Sequence, residues 1–93
     1  MAIYYTDSAD KHRIPHEHIE HTIYHPINKQ QVEGRPNDVT FMFVGKAHDL
    51  SREFLEVGVA MRPSGRLEVF HAMHLTDNWR WLLYAPGHTP WEE

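Results

Sequence analysis

The sequence predicts an α+β domain with two N-terminal helices, a twisted antiparallel sheet of three or four strands, and a C-terminal helix. Three observations carry that expectation. The chain up to about Pro26 is rich in His, Asp and Glu with scattered apolar residues, whereas residues 39–75 are rich in β-branched and aromatic residues. Inside that second stretch, Pro63-Ser64-Gly65 has the composition of a three-residue hairpin loop, with glycine where a left-handed conformation is wanted. After it, Trp79, Leu82 and Leu83 recur at helical spacing.

In chain order, Thr6 or Asp7 can cap a short helix running through Asp10, Lys11 and His12, interrupted at the Ile14-Pro15 step because proline disfavours helical geometry in the residue before it. Pro15 suits the first turn of a second helix. There Glu17 and Glu20 complement the positive N-terminal end, and Ile19, Thr22, Ile23 and Pro26 line one face before Pro26 ends it. Residues 28–38 read as a polar connection. Residues 39–46 (VTFMFVGK) are too continuously apolar for a strand with one wet face and predict one covered on both sides or placed centrally. Residues 54–62 and 66–75 are its expected neighbours.

If Arg62 pairs with Arg66, the hairpin register places Leu55, Val57, Val59 and Met61 with Leu67, Val69, His71, Met73 and Leu75 as core. Glu56, Gly58, Ala60 and Arg62 then share the other face with Arg66, Glu68, Phe70 and His74. Thr76 or Asp77 is placed to cap the last helix, which Pro86-Gly87 ends, and residues 86–93 read as a flexible tail.

At 93 residues there is room for one core, so the chain is read as a single domain, 1–93. A domain of this size buries only about 60 to 65% of the surface its unfolded chain exposes, and most apolar residues are therefore needed for packing. The chain has no cysteine, which excludes a disulfide framework and a thiolate metal site and suits a reducing compartment. No export segment and no run of eighteen apolar residues occurs, so the expectation is a cytoplasmic protein without a membrane partner. Nine Lys and Arg against 13 Asp and Glu give a formal charge of −4, opposite to the basic excess of simple phosphate-backbone binders. Nine histidines can reverse that sign on acidification, mainly around their unperturbed pKa of about 6.5.

Candidate chemistry concentrates on the hairpin. In the expected register Glu56 lies diagonal to His74 on the face that carries Arg62, Arg66 and Glu68. A carboxylate and an imidazole near guanidinium groups can accept a proton, donate one and stabilise developing phosphate charge. The same residues also read as cross-strand ion pairs on a solvated surface. His71 alternates with core positions and reads either as a hydrogen-bonded edge-of-core histidine or as a further catalyst. Lys46, His48 and Arg52 fall in and beside a loop, and Lys11 and His12 end the first helix, where cations also complement the helix dipole. His18, His21 and His25 form one helical stripe that could be a metal site or a plain polar face; the chain has no HExxH-type motif, and no metal or other cofactor is expected. Trp79, Trp81, Tyr84 and Trp91 could stack on bases or pack, Trp79 belonging to the apolar stripe.

The segments YTDSADKHRIPHEHIEHTIYHPI and FLEVGVAMRPSGRLEVFHAMH, with the closing helix, together resemble the BrnT-like branch of the RelE-type toxins of bacterial type II toxin-antitoxin systems. That family's KHG-like helix end, glycine-arginine turn and VxHT-like strand correspond to Lys11-His12-Arg13, Gly65-Arg66 and Val69-Phe70-His71-Ala72. The resemblance spans roughly residues 8–83. It implies a metal-independent endoribonuclease acting on free or ribosome-bound RNA and held by an antitoxin protein, with Arg66 on phosphate and Lys11, His12, His71 and His74 completing the site. Departures accompany it: His74 stands where the family commonly has arginine, the chain passes into a helix where the family has another strand, and the net charge is acidic. The alternative is a non-catalytic protein-binding or regulatory module with a toxin-like fold. A homodimer stays open.

Overall fold

A computed structural model describes residues 3–84, in which five strands form one mixed sheet in the order β1-β5-β4-β3-β2. The strands are β1 (Ile3–Tyr5), β2 (Asn28–Val32), β3 (Val39–Lys46), β4 (Phe54–Met61) and β5 (Leu67–His74), and the helices are α1 (Asp7–Asp10) and α2 (His16–Tyr24). β1 runs parallel to β5, and every other pairing is antiparallel. No helix among the described residues is long and apolar enough to cross a membrane.

This overturns the expected layout of two helices, an antiparallel sheet of three or four strands and a terminal helix. The two N-terminal helices are short, at 4 and 9 residues. Thr6 caps the first, its hydroxyl accepting from the Ala9 N–H at 3.2 Å. Two strands were not foreseen. β1 is only three residues long, too short for an alternating pattern, and its neighbour β5 rather than its own sequence makes it a strand. β2 (NKQQV) falls in the stretch read as a polar connection; as the outer strand beside β3, with Lys29, Gln30 and Gln31 exposed, it shows no hydrophobic alternation.

The predicted C-terminal helix is a single 3-10 turn, Arg80–Leu83. Thr76, one of the two residues placed to cap that helix, gives its backbone N–H (2.7 Å) and its hydroxyl to the Glu56 carboxylate. The chain then proceeds by i to i+3 bonds, Trp79 N–H to Thr76 O and Leu82 N–H to Trp79 O, until Leu82 is buried against the sheet. Pro86-Gly87, the tail 86–93 and Trp91 lie outside the described residues.

β4 is the central strand, buried from Leu55 to Ala60, whereas β3 lies one place from the edge and does not touch β5. One sheet face carries Phe43, Leu55, Val57, Val59, Leu67, Val69 and Ala72, and Ala9, Ile14, Ile19 and Ile23 cover it. Tyr5 helps fix α2 there, donating its phenol O–H to Glu20 at 2.6 Å while its ring stacks on His16 at 3.6 Å. Burial, and then the Glu20 carboxylate, push that phenol well above its ordinary value.

The hairpin turn forms as its composition predicts. Gly65 has φ 87°, and the Arg62 N–H donates to Arg66 O at 2.9 Å. From Met61↔Leu67 to Val59↔Val69 the register is the expected one. The next pair is Gly58↔His71, because a β-bulge adds Phe70 to β5. Beyond it every β5 side chain changes face: Ala72 becomes core, and His71 and Met73 join Glu56 on the opposite side.

Gly58 permits this bulge. A Cβ there would lie 2.7 Å from Phe70 Cζ and 3.2 Å from His71 Cβ, on a strand held on both sides. Gly58→Ala is therefore expected to destabilise the fold by about 1–3 kcal/mol, as overpacking does. Denaturant titration measures this; an unchanged midpoint would show that the Phe70 ring does not rest on the glycine.

Candidate functional site

The second sheet face carries Thr40, Met42, Val44, Glu56, Gly58, Ala60, Glu68, His71 and Met73; at one end Leu82 is buried and its carbonyl accepts from Asn28 Nδ2 at 3.2 Å, and at the other Gly34 packs on Thr40. Two clefts lie between among the described residues. α1 runs alongside β5 after β1 ends, so its core-side Ala9 packs on one face while Ser8, Lys11 and His12 border the other.

A cleft of about 530 Å³ on that face is lined by Glu56, His71, Lys11, His12, Met42 and Trp79, among others. At its base Glu56 is 3% exposed and fully engaged. One carboxylate oxygen accepts the N–H and O–H of Thr76, and the other faces His71 Nε2 at 2.7 Å. Because a carboxylate can only accept, Nε2 carries the proton, leaving Nδ1 as the nitrogen able to take one up or release one. Nδ1 has no hydrogen-bond partner among the described residues, and the His71 side chain is 30% exposed. A buried carboxylate that orients a half-exposed imidazole is an arrangement suited to general acid–base work. Lys11 and His12, both exposed, place an ammonium and a second imidazole on the same cleft.

The site therefore differs from the expected one in its pairings. The bulge replaces His74 by His71 as the partner of Glu56. His74 falls opposite Leu55 at the strand end, 63% exposed and 3.8 Å from Glu53. Arg66 lies over the Tyr4 ring at 3.7 Å and borders neither this cleft nor the next. Lys46 and Arg52 also border neither. The Lys46 carbonyl accepts from Thr22 Oγ1 at 3.1 Å.

A second cleft of about 470 Å³ adjoins the first, sharing Ser8 and Phe70. Arg62 sits in its wall, bridging Asp38 and Glu68, the latter at 2.9 Å. Thr40, Glu33 and Arg35 also line it. These residues were not singled out from sequence apart from Arg62 and Glu68. The loop that supplies Glu33, Arg35 and Asp38 becomes part of a site only through its fold over β3 and β4.

On α2, His21 directs Nδ1 to the Lys46 carbonyl at 3.1 Å and Nε2 to Asp49 at 2.9 Å. The hydrogen bond from His21 holds the Asp49 carboxyl below its ordinary value. The His25 ring lies tilted 5.0 Å from that of His21, and the His18 ring 5.5 Å from that of His48. Among the described residues no group of three or more His, Asp or Glu has metal-binding geometry. This stripe ties the 47–53 loop to the helix.

Compared with known proteins, the chain matches no family model, no curated protein and no solved structure.

The Arg62 hydrogen bond holds the Glu68 carboxyl below its ordinary value, and its stabilising contribution has a definite sign. A carboxyl lowered in the folded state stabilises above its unfolded pKa of about 4.3 and loses that contribution as pH falls through the folded value. Glu68→Gln should be less stable than the parent at neutral pH, the gap closing as pH drops below about 4. Denaturation midpoints across pH measure it, and a gap constant with pH would contradict the ion pair.

Proposed function

We propose that this chain is a metal-independent endoribonuclease of toxin type, with His71 as proton-transfer residue and Glu56 as its positioning residue. The observation that carries the reading is the Glu56–His71 pair, 2.7 Å apart, in a cleft bordered by Lys11 and His12. Two imidazoles and an ammonium group supply what phosphodiester cleavage by an internal nucleophile requires. His71 Nδ1 accepts the ribose 2′-hydroxyl proton, and the 2′-oxygen bonds to phosphorus. The bond from phosphorus to the 5′-oxygen breaks as protonated His12 gives that oxygen its proton. The products are a 2′,3′-cyclic phosphate and a 5′-hydroxyl end, and Lys11 neutralises the charge gathered on the phosphoryl oxygens. Neither metal nor cofactor takes part.

The resemblance to RelE-type toxins supports the same reading and implies an antitoxin protein as partner. The acidic balance of −4, with Arg62 already committed to Asp38 and Glu68, favours the second reading, a non-catalytic protein-binding module. Induced expression separates the two: growth arrest relieved by a co-expressed neighbouring reading frame supports the toxin.

The direct test is incubation with RNA or ribosomes at pH 6 and 7.5, with and without chelator. The expected result is chelator-insensitive cleavage leaving cyclic phosphate ends, reduced about 10²–10⁴-fold in His71→Ala. Glu56→Gln should also lower the rate and change its pH profile, since an amide can present its NH₂ to the ring and reverse the tautomer. No cleavage by the parent chain under any of these conditions would overturn the proposal.

A further inference from the structure

The second cleft continues the first, and its wall chemistry differs. Glu33, Asp38 and Glu68 face it against Arg35 and Arg62, and Arg62 already donates to Asp38 and Glu68. Acceptors are therefore in excess, and an anionic phosphate would meet net negative charge. Thr40 also lines this cleft. It is 4% exposed, its hydroxyl has no hydrogen-bond partner among the described residues, and it lies against Gly34, where any Cβ would fall inside contact distance of Oγ1. A buried hydroxyl left unpaired carries a desolvation penalty that a ligand's polar atom can relieve. At the junction of the clefts stands Phe70, half-buried, its ring fixed over Gly58 and bordering both spaces.

From this we infer that the second cleft is a nucleobase subsite that selects guanine, with Phe70 as the stacking surface and Thr40 and the carboxylates as hydrogen-bonding groups. Guanine presents a ring N–H and an amino group side by side, a pattern that one carboxylate can accept together, while its O6 offers an acceptor to the Thr40 hydroxyl or Arg35. A base stacked on Phe70 places its ribose and phosphate toward the first cleft and His71. The inference rests on the proposed RNA substrate but is tested without cleavage.

The probes are the four ribonucleoside 5′-monophosphates, titrated into the intact chain and followed by amide chemical shifts. Guanosine monophosphate is expected to bind at least about fivefold more tightly than the others, with shifts at Thr40 and Phe70. Phe70→Leu and the isosteric Thr40→Val should each weaken it by about fivefold or more. Thr40→Ser, which keeps the hydroxyl, should retain binding, so a general packing defect would be recognised by its loss in both Thr40 variants. Equal affinity for all four nucleotides, no binding, or guanosine binding indifferent to Phe70 and Thr40 overturns the subsite. Selective binding by a chain that cuts no RNA would leave the subsite standing and remove the nuclease.

Discussion

The single residue inserted into β5 at Phe70 decides what the second face of the sheet can do. Without it, the hairpin would continue in the register set at Arg62 and Arg66, and His71 would point into the core between α1 and α2. With it, His71 and Met73 cross to the side of Glu56, and Ala72 takes the core position. Only a strand without a side chain at residue 58 can receive the displaced Phe70 ring. A glycine in a central strand weakens that strand by its missing packing and its greater chain entropy. Here the same absence makes room for the bulge, which brings a carboxylate and an imidazole into contact.

The bulge also explains how a carboxylate survives burial on β4. Removing an ionised group from water is unfavourable unless its lone pairs are matched. Glu56 receives three donors, from His71 and from the Thr76 backbone and hydroxyl. Charge-assisted hydrogen bonds of this kind contribute about 1.5–3 kcal/mol each, and together they offset the desolvation. The interaction also acts at a distance along the chain. After β5 the Thr76 N–H and hydroxyl both donate to Glu56, and the chain continues as a 3-10 turn whose Leu82 closes one end of the face. At Thr76 the local reading as a helix cap and the tertiary bond to Glu56 conflict, and the tertiary bond is the one formed.

This conflict marks the boundary of what was legible beforehand. The Pro63-Ser64-Gly65 turn, the Thr6 cap and the runs that become β3, β4 and β5 depend on near neighbours, and each was readable from residue types. β1 and β2 depend on the strands they pair with. The exchange of His74 for His71 depends on a bulge whose local cue was Gly58, an isolated glycine in a strand pattern. Lys11, His12, His71 and Glu56 were all candidates in the sequence, and the structure brings them to one cleft; Arg66, Lys46 and Arg52 were candidates too, and they lie elsewhere. The wall of Glu33, Arg35, Asp38 and Thr40 left no trace in the pattern, because a polar loop reads alike whether it lines a cleft or only meets solvent.

The cross-strand alignment of Gly58 with His71 underlies the Phe70 bulge that both clefts share and the Glu56–His71 pair at the base of the first. Nuclear Overhauser contacts between the α-protons and amides of β4 and β5, recorded with the nitrogen shifts of the His71 ring, measure it directly. The account predicts Gly58 opposite His71, Val57 opposite Ala72, and a ring protonated on Nε2 at neutral pH. Contacts placing Gly58 opposite Phe70 and Glu56 opposite Ala72 would contradict it, and the Glu56–His71 pair would no longer exist.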